Sequence, residues 1–164
     1  MRTTDSTPGF WLREYAPRLL LYARQWAKSD AGAEDIFQDA FIKFWQNRNG
    51  VRDPLPYLYR CVRTTAMNYH RSRERRTKHE QQSNQFGEHE RPDQAAEKSE
   101  RQARIQQAVA ELPEDQREVV VMKIWGEMTF GQIGEVMSIP RSSAHATYRR
   151  AMDVLHQRLG EEGE

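Results

Sequence analysis

The chain has 164 residues, with 25 Lys and Arg against 24 Asp and Glu and 37% hydrophobic residues. A formal charge of +1 excludes a uniformly basic nucleic-acid coat protein, and a mean hydropathy of −0.94 allows only modest cores. Cys61 is the single cysteine, so no intramolecular disulfide forms; no apolar run has bilayer length, and Met1 to Gly9 lacks the apolar core of a signal peptide. A cytoplasmic protein is expected.

Helical periodicity dominates the chain, and period-2 alternation is absent. The first segment runs from Phe10 to Lys28, with Leu12, Tyr15, Leu19, Tyr22 and Trp26 at helical spacing; Pro17 is expected to kink or divide it. The second runs from Ala33 to Asn47. Phe37, Phe41, Phe44 and Trp45 line one face, while Asp35, Gln38, Asp39, Ile42 and Gln46 line another. Asn49-Gly50, Asp53-Pro54 and Pro56 predict a loop from Arg48 to Pro56. A third helix follows from about Tyr57 to Arg76, with Leu58, Cys61, Val62, Thr65 and Tyr69 as its apolar stripe.

Between about Lys78 and Arg101 the composition changes, with one aromatic and no aliphatic larger than alanine. Such a stretch buries too little surface to offset its ordering entropy, so a flexible charged linker is expected. Ile105, Ala108, Val109 and Leu112 then mark a short helix that stops at Pro113. The next carries Val119, Val120, Ile124 and Trp125 and stops at Gly126. Thr129 and Gln132 have capping-box spacing at the head of a helix to about Met137. Ser138 to Pro140 is a turn. The last helix, about Arg141 to Leu159, has Ala144, Tyr148, Ala151, Leu155 and Leu159 as its core stripe. Helix, short turn and longer helix make a helix-turn-helix layout. The expected architecture is all-α: a domain over 1–77, a linker over 78–101 and a helix-turn-helix domain over 102–164.

Charge is distributed unevenly. From Arg48 to Arg76 eight arginines face Asp53 and Glu74, a net of +6, with Tyr57, Tyr59 and Tyr69 interleaved. Basic side chains attract phosphates and aromatic faces stack on unpaired bases. On composition alone, a solvated basic helix with core tyrosines fits equally. The last helix carries Arg141, Arg149, Arg150 and Arg158 against Asp153, and Ser142, Ser143 and His145 lie in its N-terminal half, where a recognition helix meets base edges. The stripe Asp35, Gln38, Asp39 is too negative for DNA. Beside an aromatic edge of Phe41 and Trp45 it suits either solvent or a protein partner. The chain has no phosphate loop, HExxH, GxSxG or CxxC, and its five histidines are dispersed. No catalytic residue, metal site or cofactor is expected. Cys61 reads as a core residue rather than a redox thiol.

Ala33 to Trp45, AEDIFQDAFIKFW, resembles the signature of bacterial sigma-70-type factors of the extracytoplasmic-function (ECF) group. Tyr57 to Arg76 is similar to that family's next helix, and Leu112 to Leu155 to its C-terminal helix-turn-helix domain. The resemblance implies a non-enzymatic factor that binds core RNA polymerase, at the largest-subunit clamp helices and the flap, and directs promoter-specific initiation. It implies polymerase contacts at Glu34, Asp35, Gln38, Asp39, Phe41 and Trp45. Asn49, Arg52, Tyr57, Arg60, Arg63 and Arg71 would lie at the melted −10 strand. Arg141, Ser142, Ser143, His145, Arg149 and Arg150 would lie at the −35 duplex. Members are commonly held by an anti-sigma factor, and no membrane contact is implied. The rival reading is a helix-turn-helix regulator that binds an operator without polymerase. The chain departs from the family's usual Gly-Thr-Val-Lys/Arg-Ser-Arg at the recognition helix, where residues 142–147 read SSAHAT and His145 replaces a long basic side chain. The family's Glu-Ile-Ala becomes Gln132-Ile133-Gly134, about 1 kcal/mol poorer in helix propensity.

Overall fold

The computed structural model describes residues 7–27, 29–79 and 96–161, with side chains over 7–27, 29–75 and 100–160. The chain divides into two compact units, Met1–Gly87 and Glu88–Glu164. All regular structure among the described residues is helical. Positions 80–95 of the expected linker lie outside the described residues.

The first unit is three helices, α1 (Pro8–Ala23), α2 (Asp30–Asn47) and α3 (Pro54–His79), each packed on the other two. Thr7 caps α1 by accepting a hydrogen bond from Phe10 N, and Pro8 occupies the first turn, where its missing N–H costs nothing. The helix runs unbroken through Pro17, so the proline does not divide the segment. Pro17 is exposed, while Trp11 before it and Leu19, Tyr22 and Ala23 after it are buried, so packing on both sides overrides the proline penalty. The stripe begins at Trp11 rather than Leu12, which is 38% exposed.

Ser29 caps α2 by accepting from Gly32 N at 3.1 Å, so the helix starts at Asp30, three residues before the expected start at Ala33. Its buried face is Gly32, Ala33, Ile36, Phe37, Ala40, Phe41 and Phe44. Helix α3 starts at Pro54, earlier than predicted, because prolines tolerate a first turn whose N–H groups have no helical partner. The connecting loop is therefore only residues 48–53, turning at Gly50 with φ +85°. The core is aromatic-rich. Trp11 meets Phe44 at 5.2 Å, Tyr22 meets Tyr59 at 5.2 Å, and Tyr22 meets Trp26 edge-on at 5.0 Å. Such pairs add about 0.5–1.5 kcal/mol each beyond area burial.

The second unit comprises α4 (Ala96–Ala110), α5 (Glu114–Val120) with a π-turn over Val121–Trp125, α6 (Phe130–Met137) and α7 (Arg141–Glu161). Helix α4 begins six residues before Gln102. The π-turn re-phases its segment, closing with Gly126 N on Val121 O at 3.1 Å. Val119 to Met122 stay buried, but Ile124 is 45% exposed instead of continuing the core stripe. Thr129 forms both halves of the capping box, accepting from Gln132 N at 3.1 Å while its own N donates to Gln132 Oε1 at 3.0 Å. Ser138 ends α6 in the left-handed region, φ 57°. Gly134 permits the turn to fold tightly, since a Cβ there would sit 2.6 Å from Ile139 O. On α7, Ala144, Thr147, Ala151 and Leu155 are buried, whereas Tyr148 is half-buried and Leu159, beyond the reach of the core, is 37% exposed. Arg158 pairs with Glu111 at 2.7 Å, tying the end of α7 to the end of α4.

Candidate polymerase and promoter interfaces

On α2 the faces separate by helical period. Glu34, Asp35, Gln38, Asp39, Ile42 and Gln46 are exposed, opposite the aromatic core stripe. Phe41 is not part of an open edge. It is buried among Phe37, Phe44 and Trp45, because positions 37, 41 and 44 share the core-facing stripe. Trp45 is half-buried, stacked on Phe41 and covered by the Arg48 guanidinium 3.6 Å from its ring centroid. The apolar group that this face does present is Ile42, 55% exposed, three residues after Asp39 and seven after Asp35. Sequence reasoning placed it on the stripe but did not select it as an anchor; its spacing was the available signal.

A groove of about 610 Å³ opens between α2 and α3, with Asp35, Asp39 and Lys43 on one wall and Asn68, Tyr69 and Arg73 on the other. The helices meet closely at its end, where a Cβ on Gly32 would sit 2.9 Å from the Tyr69 hydroxyl.

The basic surface of α3 is likewise the complement of its core face. Leu58, Tyr59, Val62, Thr65 and Ala66 point inward. Arg60, Thr64 and Arg71 are exposed at spacings of four and seven, and Asn49 and Arg52 are exposed on the preceding loop. Arg63 flanks this face and is half-buried. Of the three interleaved tyrosines, Tyr59 is 1% exposed and belongs to the core. Tyr57 is half-buried at the rim, its ring 6.0 Å from Phe44 and its hydroxyl hydrogen-bonded to Cys61. Burial pushes the Tyr57 hydroxyl above its ordinary pKa, with Cys61 adding to the effect. Burial also raises the Cys61 thiol, the direction of an unreactive cysteine.

On α7 the residues Arg141, Ser142, Ser143, His145, Arg149 and Arg150 are all exposed, in the N-terminal half of the helix. Arg150 donates to Thr147 Oγ1 at 3.2 Å, which holds its stem along the helix. His145 is exposed but not isolated. Its ring forms a T-shaped pair with Phe130 at 4.9 Å, and Tyr148 meets the Phe130 ring at 5.4 Å. Lys123 of the π-turn lies 4.4 Å over Phe130 and donates to Met128 O at 3.3 Å. Neither Phe130 nor Lys123 carried a sequence signal, because their role depends on the π-turn and the cap bringing them to α7. Among the described residues there is no group of His, Cys, Asp and Glu that could hold a metal, and no helix long and apolar enough to cross a membrane.

Comparison with known proteins adds the family. Sigma-70 region 2 matches residues 11–76, and sigma-70 region 4 matches residues 102–155. The chain is 28% identical to the RNA polymerase sigma-H factor of Pseudomonas aeruginosa over 140 residues, covering 77% of this chain and 72% of that one. It is 24% identical to the ECF RNA polymerase sigma factor RpoE of Cereibacter sphaeroides over 150 residues, 90% of this chain and 83% of that one. Two solved structures share the fold. CnrH in complex with the cytosolic domain of CnrY has TM-score 0.66 and 19% identity, over 95% of this chain and 89% of that one. The sigma factor RpoE bound to the anti-sigma factor NepR, from Bartonella quintana, has TM-score 0.67 and 18% identity, over 91% of this chain and 94% of that one. With region 2 falling on the unit that bears the acidic and arginine-rich stripes, and region 4 on the helix-turn-helix, the chain belongs to the sigma-70 family of RNA polymerase sigma factors, in its ECF group.

Proposed function

We propose that the two units divide promoter recognition, as 1–77 and 102–164 with a tether between them. The exposed stripe Glu34, Asp35, Gln38, Asp39 and Ile42 docks on core RNA polymerase, with Trp45 at its edge. Asn49, Arg52, Tyr57, Arg60, Arg63 and Arg71 engage the melted −10 strand. Arg141, Ser142, Ser143, His145, Arg149 and Arg150 engage the −35 duplex. The observation that carries this reading is the sorting of exposed charge by face: acidic with one apolar anchor on α2, arginine-rich on α3 and at the start of α7. A protein partner accepts the first and DNA repels it; nucleic acid attracts the other two. Two modest DNA contacts on one tether gain effective concentration once polymerase fixes their spacing.

The chain works in the cytoplasm as an initiation factor without catalysis of its own. One fold neighbour is bound to an anti-sigma factor, and a partner of that kind covering the α2 and α3 surfaces of this chain would block both polymerase docking and −10 contacts. Incubation with core polymerase followed by run-off transcription from a randomised promoter library is the test. Discrete −10 and −35 preferences, appearing only when both protein components are present, are expected. A DNA preference that is independent of polymerase would refute the reading.

A further inference from the structure

The geometry points to Phe130 as a positioning residue for base discrimination at the −35 element, acting through His145. The inference rests on α7 being the −35 reader. His145 is exposed, and an exposed imidazole on a helix ordinarily samples several rotamers, which blurs any directional hydrogen bond it offers to a base edge. Here the ring has a wall. Phe130 and His145 form a T-shaped pair, centroids 4.9 Å apart and planes at 81°, the arrangement that aligns a positive ring edge with a negative ring face. The wall is itself held from three directions. Tyr148, one turn beyond His145, packs on Phe130 at 5.4 Å. Lys123 covers it at 4.4 Å while anchored to Met128 O. The capping box at Thr129 and Gln132 pins the backbone on which Phe130 is the first helical residue.

The consequence is that the orientation of a base-reading group on α7 is set by a residue on α6. Phe130 touches no base in this arrangement; it decides which way His145 points. Replacing it by a residue of similar apolarity but without a ring removes the edge-to-face contact and leaves the histidine free to rotate. Base preference should weaken at the position that His145 reads and at no other. General affinity, which comes from phosphate contacts by arginines and by helix-start hydroxyls, should stay.

The experiment uses the full chain assembled with core polymerase and a library randomised across the −35 element, at two salt concentrations. Five proteins are compared: wild type, Phe130→Leu, Phe130→Tyr, His145→Ala and the double variant Phe130→Leu with His145→Ala. Phe130→Leu should lower discrimination by about threefold to tenfold at the same base pair that His145→Ala affects, with an unchanged salt slope. Phe130→Tyr keeps the ring and should keep the preference. The double variant Phe130→Leu with His145→Ala should lose no more discrimination than His145→Ala alone, because both changes act through one contact. An unchanged profile for Phe130→Leu beside an altered one for His145→Ala overturns the positioning role while leaving α7 as the reader. A uniform loss across all sequences shows a structural role and also overturns it. If wild type selects no −35 sequence at all, the −35 assignment falls and the inference falls with it.

Discussion

Gly134→Ala isolates the geometry of the helix-turn-helix. The new Cβ would sit 2.6 Å from the Ile139 carbonyl oxygen and 3.5 Å from Arg141 N. Both neighbours are backbone, so no side chain can swing away. Relief requires opening the turn that Ile139 N closes on Gly134 O at 3.0 Å. Alanine gains about 1 kcal/mol of helix propensity over glycine. Against this, overpacking that forces a backbone shift costs about 1–3 kcal/mol, and stretching the turn's hydrogen bond costs about 1 kcal/mol more. The net expectation is a loss of about 1–3 kcal/mol, or amide exchange about fivefold to 150-fold faster across α6 and α7. The same shift moves the first turn of α7, where Arg141, Ser142 and Ser143 sit, so −35 affinity should fall with it. Hydrogen exchange on the full chain, beside binding to a −35 duplex in the holoenzyme, reads both effects. Slower exchange with undiminished binding would mean that the turn yields freely, and the steric reasoning would be refuted.

Three further outcomes are expected. Asp39→Arg, or Asp35→Arg with Gln38→Ala, should weaken core-polymerase binding more than tenfold in a competition assay with helicity unchanged, because these groups are exposed and outside the core; normal binding would remove this face from docking. Arg60→Ala with Arg71→Ala should impair permanganate reactivity of the −10 bubble more than closed-complex binding, and equal loss on duplex and pre-melted templates would count against a single-strand role. Tyr59 is buried with an unpaired hydroxyl, and burial pushes its pKa from 10.0 up to about 12. The unfolded chain therefore ionises first: stability is full below pH 10 and declines as pH rises towards 12. Tyr59→Phe should flatten that decline and match or exceed wild-type stability near pH 7, by up to about 1 kcal/mol; identical alkaline slopes in urea unfolding would contradict it.

The stripes on α2 and α3 were legible because a helix in a small domain writes its inside and outside as a 3.6-residue alternation. The capping box was legible because it is a contact within four residues. What failed were the places where tertiary packing or a change of helical phase decides. Helical spacing puts Leu12 at the head of the α1 stripe, and the position of Phe44 selects Trp11 instead. Pro17 reads as a breaker until the burial on either side of it is known. Ile124 follows Val120 by four residues, which promises burial in an α-helix; the π-turn spends an extra residue and rotates it outward. Phe41 follows the same logic from the other side, since its apolar ring satisfies a motif position and a core position alike and the core takes it.

This separation has a consequence for assigning roles in the first unit. On α2 the stripe that builds the core and the stripe that faces outward alternate within every turn, so neighbours in sequence do unrelated work. Asp39 is exposed and Ala40 fully buried; Phe41 is core and Ile42 exposed. A loss of polymerase binding in a Phe41 variant would therefore carry the destabilisation of a large core deletion, about 3–5 kcal/mol for Phe→Ala, and would say little about docking. Ile42→Asp removes the one apolar group presented beside Asp35, Gln38 and Asp39 without opening a cavity. If the face docks as proposed, Ile42→Asp should lose polymerase affinity at unchanged melting temperature, while Phe41→Leu should lower the melting temperature and retain affinity once folded. The opposite pattern would place the docking contact on the aromatic side of the helix, and would require Phe41 to leave the core when polymerase binds.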